Sequence, residues 1–288
     1  MKLAAIIIIY NPETNDLCAN IKSCIGCVDK LILWQNSDIT ELINRNAFIS
    51  IPDFENKVII LGNGDNVGIA SGLNAGVEWA AANQYTHLLT MDQDSSFVDG
   101  HLLKYKKLID ENKVADIGIF GINPHNGGHL LIDSSEEYVE VPDTITSGSI
   151  VPMAVFSEFG GFEDDLFIDA VDYEFCYRLK SLGGLKTIVF PGIVLQHKVG
   201  YVTKTWLGFK TDNYSAFRTY YIVRNQTIIW KRYPGMFPRA HKIVLIKTHI
   251  INRTIKIILG ENDKLNKVRS IFVGLIHGLK GKKGYYKI

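Results

Sequence analysis

Asp92, Gln93 and Asp94 stand directly after the run His87-Leu88-Leu89-Thr90-Met91. The run reads as a strand, so both carboxylates fall where a strand leaves its sheet. Two acids at that spacing can hold a divalent cation against a diphosphate, whose charge the lysine-poor surroundings would not neutralise. Oxygen ligands of this kind suit Mg2+, which takes one or two carboxylates plus substrate phosphates. Mn2+ is equally acceptable by ligand type. The expected chemistry is that of a metal-dependent enzyme with a nucleotide-diphosphate donor. A D-x-D string also occurs in many exposed turns, so the elements around it decide its meaning.

Those elements follow an alternating order. Leu3–Tyr10 is a continuous apolar, isoleucine-rich run, as in a strand covered on both faces. Asn11-Pro12 turns the chain, and Thr14 is placed to cap a helix running to about Cys24. Strands are expected at Lys30–Trp34, Lys57–Leu61, Thr86–Met91 and Ala115–Gly121, with helices at Gly68–Asn83 and Asp99–Asn112. This βαβαβαβαβ order predicts an α/β domain with a mostly parallel, Rossmann-like sheet flanked by helices. Ligands of such sheets bind beyond the carboxyl ends of the strands. Tyr10-Asn11, Asn36-Ser37, Asn63–Gly68 and Asp92–Asp94 all follow strands and should meet at one edge. Further on, Gly127-Gly128 reads as a hairpin turn. Met153–Phe159 and Val171–Leu182 read as helices, and Leu185–Phe190 and Ile193–Gln196 as strands.

The 288 residues are 47% apolar and 21% charged, the composition of a folded protein. Net charge is +1, but it is unevenly distributed. Residues 1–197 carry 12 Lys and Arg against 27 Asp and Glu, and residues 198–288 carry 19 against 3. This asymmetry suggests different partners for the two parts. We therefore divide the chain into a domain at 1–212 and a basic, partly amphipathic helical extension at 213–288. In the extension, Leu265, Val268, Phe272, Leu275 and Leu279 recur at helical steps over Lys264–Leu279. Over Lys242–Leu259, His249, Asn252, Arg253 and Lys256 share one arc, with Lys247 interrupting the apolar side. Apolar stripes rimmed by Lys and Arg fit an anionic membrane surface, through 238–288. They fit packing onto the main domain equally well. Cys24 and Cys27 lack the partners of a zinc set and read as reduced thiols. No signal peptide and no run long enough to span a membrane is visible. The expected location is cytoplasmic, peripheral at the inner face of the membrane.

Four segments occur in a fixed order. They are Tyr10-Asn11-Pro12, the glycine-rich Asn63–Gly76, Asp92-Gln93-Asp94, and Gly160-Gly161-Phe162 followed by Phe167–Arg178. Together they resemble glycosyltransferase family 2, the inverting enzymes of the GT-A fold. Phe167–Arg178, with Gln196–Gly200 and Arg218–Asn225, looks most like the bacterial rhamnosyltransferase branch. The resemblance covers roughly 3–230. It implies that Tyr10, Asn11, Asn36, Asp65 and Asn66 hold the nucleoside, that Asp92 contacts the ribose or the metal, and that Asp94 and His197 contact the metal. It implies a nucleotide-sugar donor, dTDP-L-rhamnose, and a surface-polysaccharide or lipid-linked oligosaccharide acceptor.

Asp172 matches the second acid of the family's Glu-Asp motif and is the expected catalytic base. Val171 stands where the family has Glu. Asp169 and Glu174 are near enough in sequence to supply the missing charge, and a neighbouring carboxylate raises a base's proton affinity. Acids at a helix start also simply favour its dipole. Arg178 reads as an i+4 partner of Glu174. Arg218, Arg224 and Asn225 suit either the diphosphate and acceptor or a role in pinning the first helix of the extension. Gly72 and Gly76 read as close packing of a helix on the sheet. Three other readings remain open: an enzyme of the same family using another UDP- or GDP-sugar, a nucleotidyltransferase, and, as the non-enzyme alternative, an inactive sugar-nucleotide scaffold. No nucleic-acid recognition motif accompanies the basic extension, so no nucleic-acid partner is expected.

Overall fold

The computed structural model describes residues 1–44, 46–126, 129–197, 203–204, 208 and 210–287. The chain forms two compact units, Met1–Phe162 with Arg178–Lys198, and Glu163–Tyr177 with Val199–Ile288. The first unit begins β1 (Leu3–Ile9), α1 (Thr14–Cys24), β2 (Lys30–Gln35), α2 (Thr40–Asn44), α3 (Phe54–Lys57), β3 (Val58–Leu61) and α4 (Ile69–Ala82). It continues β4 (His87–Asp92), β5 (Ser95–Phe97), α5 (His101–Glu111), β6 (Ile117–Asn126), β7 (His129–Leu130), β8 (Val139–Val141), β9 (Ser149–Pro152) and α6 (Met153–Phe159). Helix α7 (Val171–Gly183) starts in the second unit and ends in the first, where β10 (Lys186–His197) follows.

Strand β1 is buried along its whole length. One side, Leu3, Ala5, Ile7 and Ile9, joins Leu17, Ile21 and Cys24 of α1 in the main core. The other side meets α4. A Cβ on Gly72 would lie 2.9 Å from Ile8 Cδ1, and one on Gly76 would lie 2.5 Å from Ile6 Cδ1. These glycines therefore do what the sequence suggested, and let a helix lie close on the sheet. The two-residue period of the strand splits the isoleucine run between two helical layers.

The sheet runs β3-β2-β1-β4-β9-β6-β10-β5. Pairings β3/β2, β2/β1, β1/β4 and β6/β10 are parallel, as expected. Three departures from the sequence reading stand out. The first is β9, which lies antiparallel between β4 and β6 and separates strands that simple alternation would make neighbours. The second is β10, expected as two strands. It is one, with a register shift between Phe190 and Val194, where Pro191 withholds a ladder hydrogen bond and a bulge absorbs the mismatch. The third is β5, a three-residue strand too short to show a pattern. The proposed turn at Gly127-Gly128 lies outside the described residues, although β6 and β7 pair on either side of it. Thr14 is the first residue of α1, and Glu13 occupies the cap position.

The second unit holds a 3₁₀ turn (Asp164–Leu166), the start of α7, the hairpin β11 (Thr203–Lys204) and β12 (Lys210–Thr211), and α8 (Ala216–Arg232). After these come α9 (Arg239–Ile243), a π-helical stretch (Val244–Asn252), α10 (Arg253–Gly260) and α11 (Lys264–Lys280). Its last helices show which of the two facings left open by the sequence is taken: Val268 and Leu275 of the stripe pack against Val223, Ile257 and Ile271, and the rest of the stripe does not. Helix α11 buries Lys267, Ser270, Ile271, Gly274 and Gly278, while Leu265, Phe272, Ile276 and Leu279 are exposed. In the preceding helical stretch Arg253 and Ile257 are buried, and Ile251, Ile255 and Ile258 are exposed.

Two features explain this facing. Gly274 and Gly278 bring the backbone of α11 against α8, where a Cβ on either would lie 2.8 Å from the carbonyl oxygen of Tyr220 or Arg224. A polar network fills the interior beside them. Arg253 Nη1 donates to Glu261 Oε1 at 2.6 Å, and Lys267 Nζ donates to Glu261 Oε2 at 2.8 Å and to Asn213 Oδ1 at 2.7 Å. Burial alone would raise the Glu261 carboxyl. The Lys267 and Thr211 hydrogen bonds and the Arg253 charge outweigh it and hold that carboxyl below its usual range. The buried polar arc thus fits the rule that interior charges are paired. Among the described residues no helix is long and apolar enough to cross a membrane.

Candidate functional site

Strand β4 delivers Asp92 at its last position, and the chain turns over Gln93 and Asp94 into β5. Strand β5 then pairs antiparallel with the end of β10, setting Ser95 opposite His197. This long-range strand pairing is what joins the acids to a residue about a hundred positions away. One ligand atom each from Asp92, Asp94 and His197 lies within 4.8 Å of the others, and all three residues are half-buried. His197 Nδ1 is 2.7 Å from Ser95 Oγ. The bond restrains the imidazole, and a Ser95 oxygen accepting from Nδ1–H would leave on Nε2 the lone pair a cation needs. Asp92 is held by its backbone: its N–H donates to Ser147 Oγ at 3.0 Å, and its carbonyl accepts from Asn20 Nδ2. Two carboxylates and an imidazole, from the ends of β4 and β10 and the turn after β4, fit a divalent ion such as Mg2+ or Mn2+, with positions left for phosphate oxygens.

The expected nucleoside residues follow β1, β2 and β3. Tyr10 is exposed, and its backbone is clamped by Gln93. Its N–H donates to Gln93 Oε1 at 2.7 Å, and Gln93 Nε2 donates back to its carbonyl at 3.0 Å. Asn11 takes a left-handed backbone, φ 43°, and its N–H donates to Ser37 Oγ at 2.7 Å. Asn36 is buried. Its Oδ1 accepts from Trp34 Nε1 at 3.1 Å and Val67 N–H at 3.3 Å, and its Nδ2 donates to Gly68 O at 3.0 Å. Its amide therefore holds the 63–68 loop. Asp65 and Asn66 are exposed on that loop. Asp65 Oδ2 accepts from Asn63 Nδ2 at 2.7 Å, and Asn66 Oδ1 accepts from Gly68 N–H at 3.1 Å. Sequence reasoning missed Gln93, Ser95 and Ser147. Gln93 stood between the two acids as a visible signal, but the serines carry none.

Asp172 belongs to the second unit and sits in the first turn of α7, with Oδ1 accepting from the N–H of Tyr173 at 2.9 Å. The segment before it is strained. Phe167 (φ 65°), Asp169 (φ 63°) and Ala170 (φ 62°) are non-glycine residues at positive φ. Each such residue costs roughly 1–3 kcal/mol and persists only where its surroundings force it. The Asp169 carboxylate pairs with Arg218 Nη2 at 3.2 Å. Burial pushes the Asp169 carboxyl up, and the Arg218 charge and hydrogen bond offset only part of that rise. Glu174 is fully buried, with Oε1 accepting from Arg232 at 3.2 Å and from Tyr233 Oη at 3.1 Å. Arg178, expected beside Glu174, donates to the carbonyls of Phe159 and Gly161 in the first unit, at 2.5 Å each. Arg224 and Asn225 are both fully buried and bond to the backbone of 165–169.

No protein-family model matches the chain. It is 26% identical to the dTDP-rhamnosyl transferase RfbF of Shigella flexneri, over 97% of this chain and 96% of that one. Among solved structures, it superposes on the mannosyltransferase PcManGT of Pyrobaculum calidifontis, a complex with GDP-Man and Mn2+, with a TM-score of 0.61. That match covers 98% of this chain and 88% of that one, at 11% identity. It also superposes on GalNAc-T7 with UDP, GalNAc and Mn2+, with a TM-score of 0.60 and 13% identity. There it covers 97% of this chain but spans only 56% of the other. Such identities show the fold alone, whereas the RfbF match runs through both chains almost end to end. The chain is a glycosyltransferase of the GT-A fold, rhamnosyltransferase-like in sequence.

Proposed function

We propose that this glycosyltransferase moves L-rhamnose from dTDP-L-rhamnose to a hydroxyl of a surface-polysaccharide or lipid-linked glycan, with inversion at the anomeric carbon. The observation that carries the reading is the clustering of Asp92, Asp94 and His197 at the carboxyl ends of the strands. Similarity to RfbF supports the donor. In this reading Asp92, Asp94 and His197 hold Mg2+ or Mn2+, and the ion supplies positive charge for the departing diphosphate. Tyr10, Asn11, Asp65 and Asn66 line the nucleoside, and Asn36 keeps their loop in place. Asp172 takes the proton of the acceptor hydroxyl as that oxygen attacks. We assign donor binding and catalysis to 1–212. The extension at 213–288 brings the enzyme to a lipid-linked acceptor at the inner membrane face, through 238–288. Exposed Ile251, Ile255, Phe272, Ile276 and Leu279 beside Lys247, Arg269 and Lys280 support that role.

Thermal shift with dTDP-L-rhamnose, UDP-glucose and GDP-mannose, each with Mn2+, Mg2+ or chelator, tests the donor and the ion. A ligand at a hundred times its Kd stabilises the fold by about 2.7 kcal/mol. The dTDP sugar with metal should raise Tm most, and Asp94→Ala should remove the effect. Asp172→Asn should abolish transfer while keeping the donor shift. Equal shifts without metal would remove the ion from the reading, and full transfer by Asp172→Asn would remove the base.

A further inference from the structure

Asn225 lies on α8, far in sequence from the acidic segment. Its side chain is fully buried, and its one amide nitrogen reaches three carbonyl oxygens of that segment: Leu166 at 2.8 Å, Ile168 at 2.7 Å and Asp169 at 2.9 Å. The amide is oriented by its neighbour. Arg224 Nε donates to Asn225 Oδ1 at 2.7 Å, which turns the NH2 group toward the carbonyls. Arg224 adds its own hold, with Nη2 donating to Asp165 O at 2.9 Å and Leu166 O at 3.2 Å. The carbonyls so gathered belong to the stretch in which Phe167, Asp169 and Ala170 take positive φ. Three converging carbonyl dipoles repel one another unless a donor stands between them, and left-handed phenylalanine and alanine do not persist unaided. Two residues after Asp169 the α7 helix begins, and Asp172 is in its first turn.

We infer that Asn225 is a positioning residue: its amide, set by Arg224, holds the 167–170 backbone, with its positive φ at Phe167, Asp169 and Ala170, in the shape that fixes where α7 starts and where Asp172 presents its carboxylate. The inference rests on Asp172 being the base. It separates Asn225 from donor binding, because among the described residues its hydrogen bonds go to backbone carbonyls of the base-bearing segment and to the Arg224 side chain. It also accounts for a buried Arg-Asn pair with no carboxylate partner in these bonds.

The test uses the full chain carrying Asn225→Ala, Asn225→Asp or Asp172→Asn. Asn225→Asp keeps volume and the Arg224 bond but aims an oxygen at the three carbonyls, so it serves if the alanine variant does not fold. Two readouts are taken: hydrogen exchange on peptides spanning 165–173, and hydrolysis of dTDP-L-rhamnose with Mn2+ and water as acceptor. Both Asn225 variants should exchange faster at 167–171 while peptides from β1 and β4 stay protected. Their kcat should fall about a hundredfold, as a misplacement near 1 Å does, with KM for the donor nearly unchanged. Asp172→Asn should lose hydrolysis and keep slow exchange. Unchanged exchange at 167–171 in a folded variant overturns the inference, as does a rise spread over the whole chain or a loss confined to KM. If Asp172→Asn stays active, the base reading fails, while the exchange data still report separately whether Asn225 holds the loop.

Discussion

The D-x-D acids are the visible part of a small set of residues whose support is not visible. Asp94 and His197 need a fixed imidazole beside a fixed turn, and Ser95 provides the one while Gln93, by clamping Tyr10, ties the other to β1. Removing a residue that orients a metal-binding histidine typically costs 10- to 100-fold in metal affinity. Ser95→Ala should therefore weaken Mn2+ binding by about that factor, read by titrating Mn2+ at fixed donor in a thermal-shift assay. Its Tm without metal should change little, since only one hydroxyl is lost. Unaltered Mn2+ affinity would show that the Ser95–His197 bond is structural. The acids and the histidine could be named from their types and order. Ser95 could not, because a serine in a three-residue strand looks like any other serine until pairing with β10 puts it opposite His197.

At the scale of elements, the C-terminal helices show where periodicity stops being informative. The spacing of Leu265, Phe272 and Leu279 locates a helix and gives it an apolar face, but does not say which way that face points. Sequence reading allowed packing or a membrane. In the structure the face against α8 is the one with Gly274 and Gly278, and the apolar residues named are exposed. The glycines matter because the contact is with backbone: a Cβ on Gly278 would lie 2.6 Å from Thr227 Cβ and 2.8 Å from Arg224 O. Backbone cannot swing aside as a side chain can, so Gly278→Ala must push the helices apart. Overpacking of this kind costs about 1–3 kcal/mol. We expect Gly278→Ala to lower the urea midpoint accordingly, and Gly281→Ala, where a Cβ meets nothing within 4 Å, to act only through its positive φ. An unchanged midpoint for Gly278→Ala would mean that α8 and α11 adjust freely.

For the whole molecule, charge is the property that composition alone reveals. A nearly neutral total conceals an acidic 1–197 and a basic 198–288. Only two acids, Glu261 and Asp263, follow residue 238, and Glu261 is consumed by the buried network. Exposed isoleucine, leucine and phenylalanine therefore lie among lysines and arginines with almost no opposing charge. On an anionic bilayer such a surface should bind through both terms. Cosedimentation with vesicles containing phosphatidylglycerol should capture the protein at low salt and much less with neutral vesicles. Phe272→Lys with Ile276→Lys should reduce capture although it adds positive charge. If those changes strengthened capture, electrostatics alone would explain it and the apolar face would have no role in the bilayer.

The sequence by itself determined the parallel β1, β2, β3 and β4 core, because a run of β-branched residues bounded by turn signals has few other outcomes. It also determined the identity and order of the acids, because their chemistry is local to each side chain. Tertiary structure decided three other things: that β9 enters antiparallel beside β4, that Ser95 meets His197, and that Asn225 reaches the carbonyls around Asp169. Each joins residues more than fifty positions apart through backbone pairing or a single amide. Such contacts depend on how strands order themselves and how closely helices approach, and no residue type or spacing announces them. The facing of α11 belongs with these, since two glycines and a buried ion network share in it with only part of the apolar stripe, Val268 and Leu275.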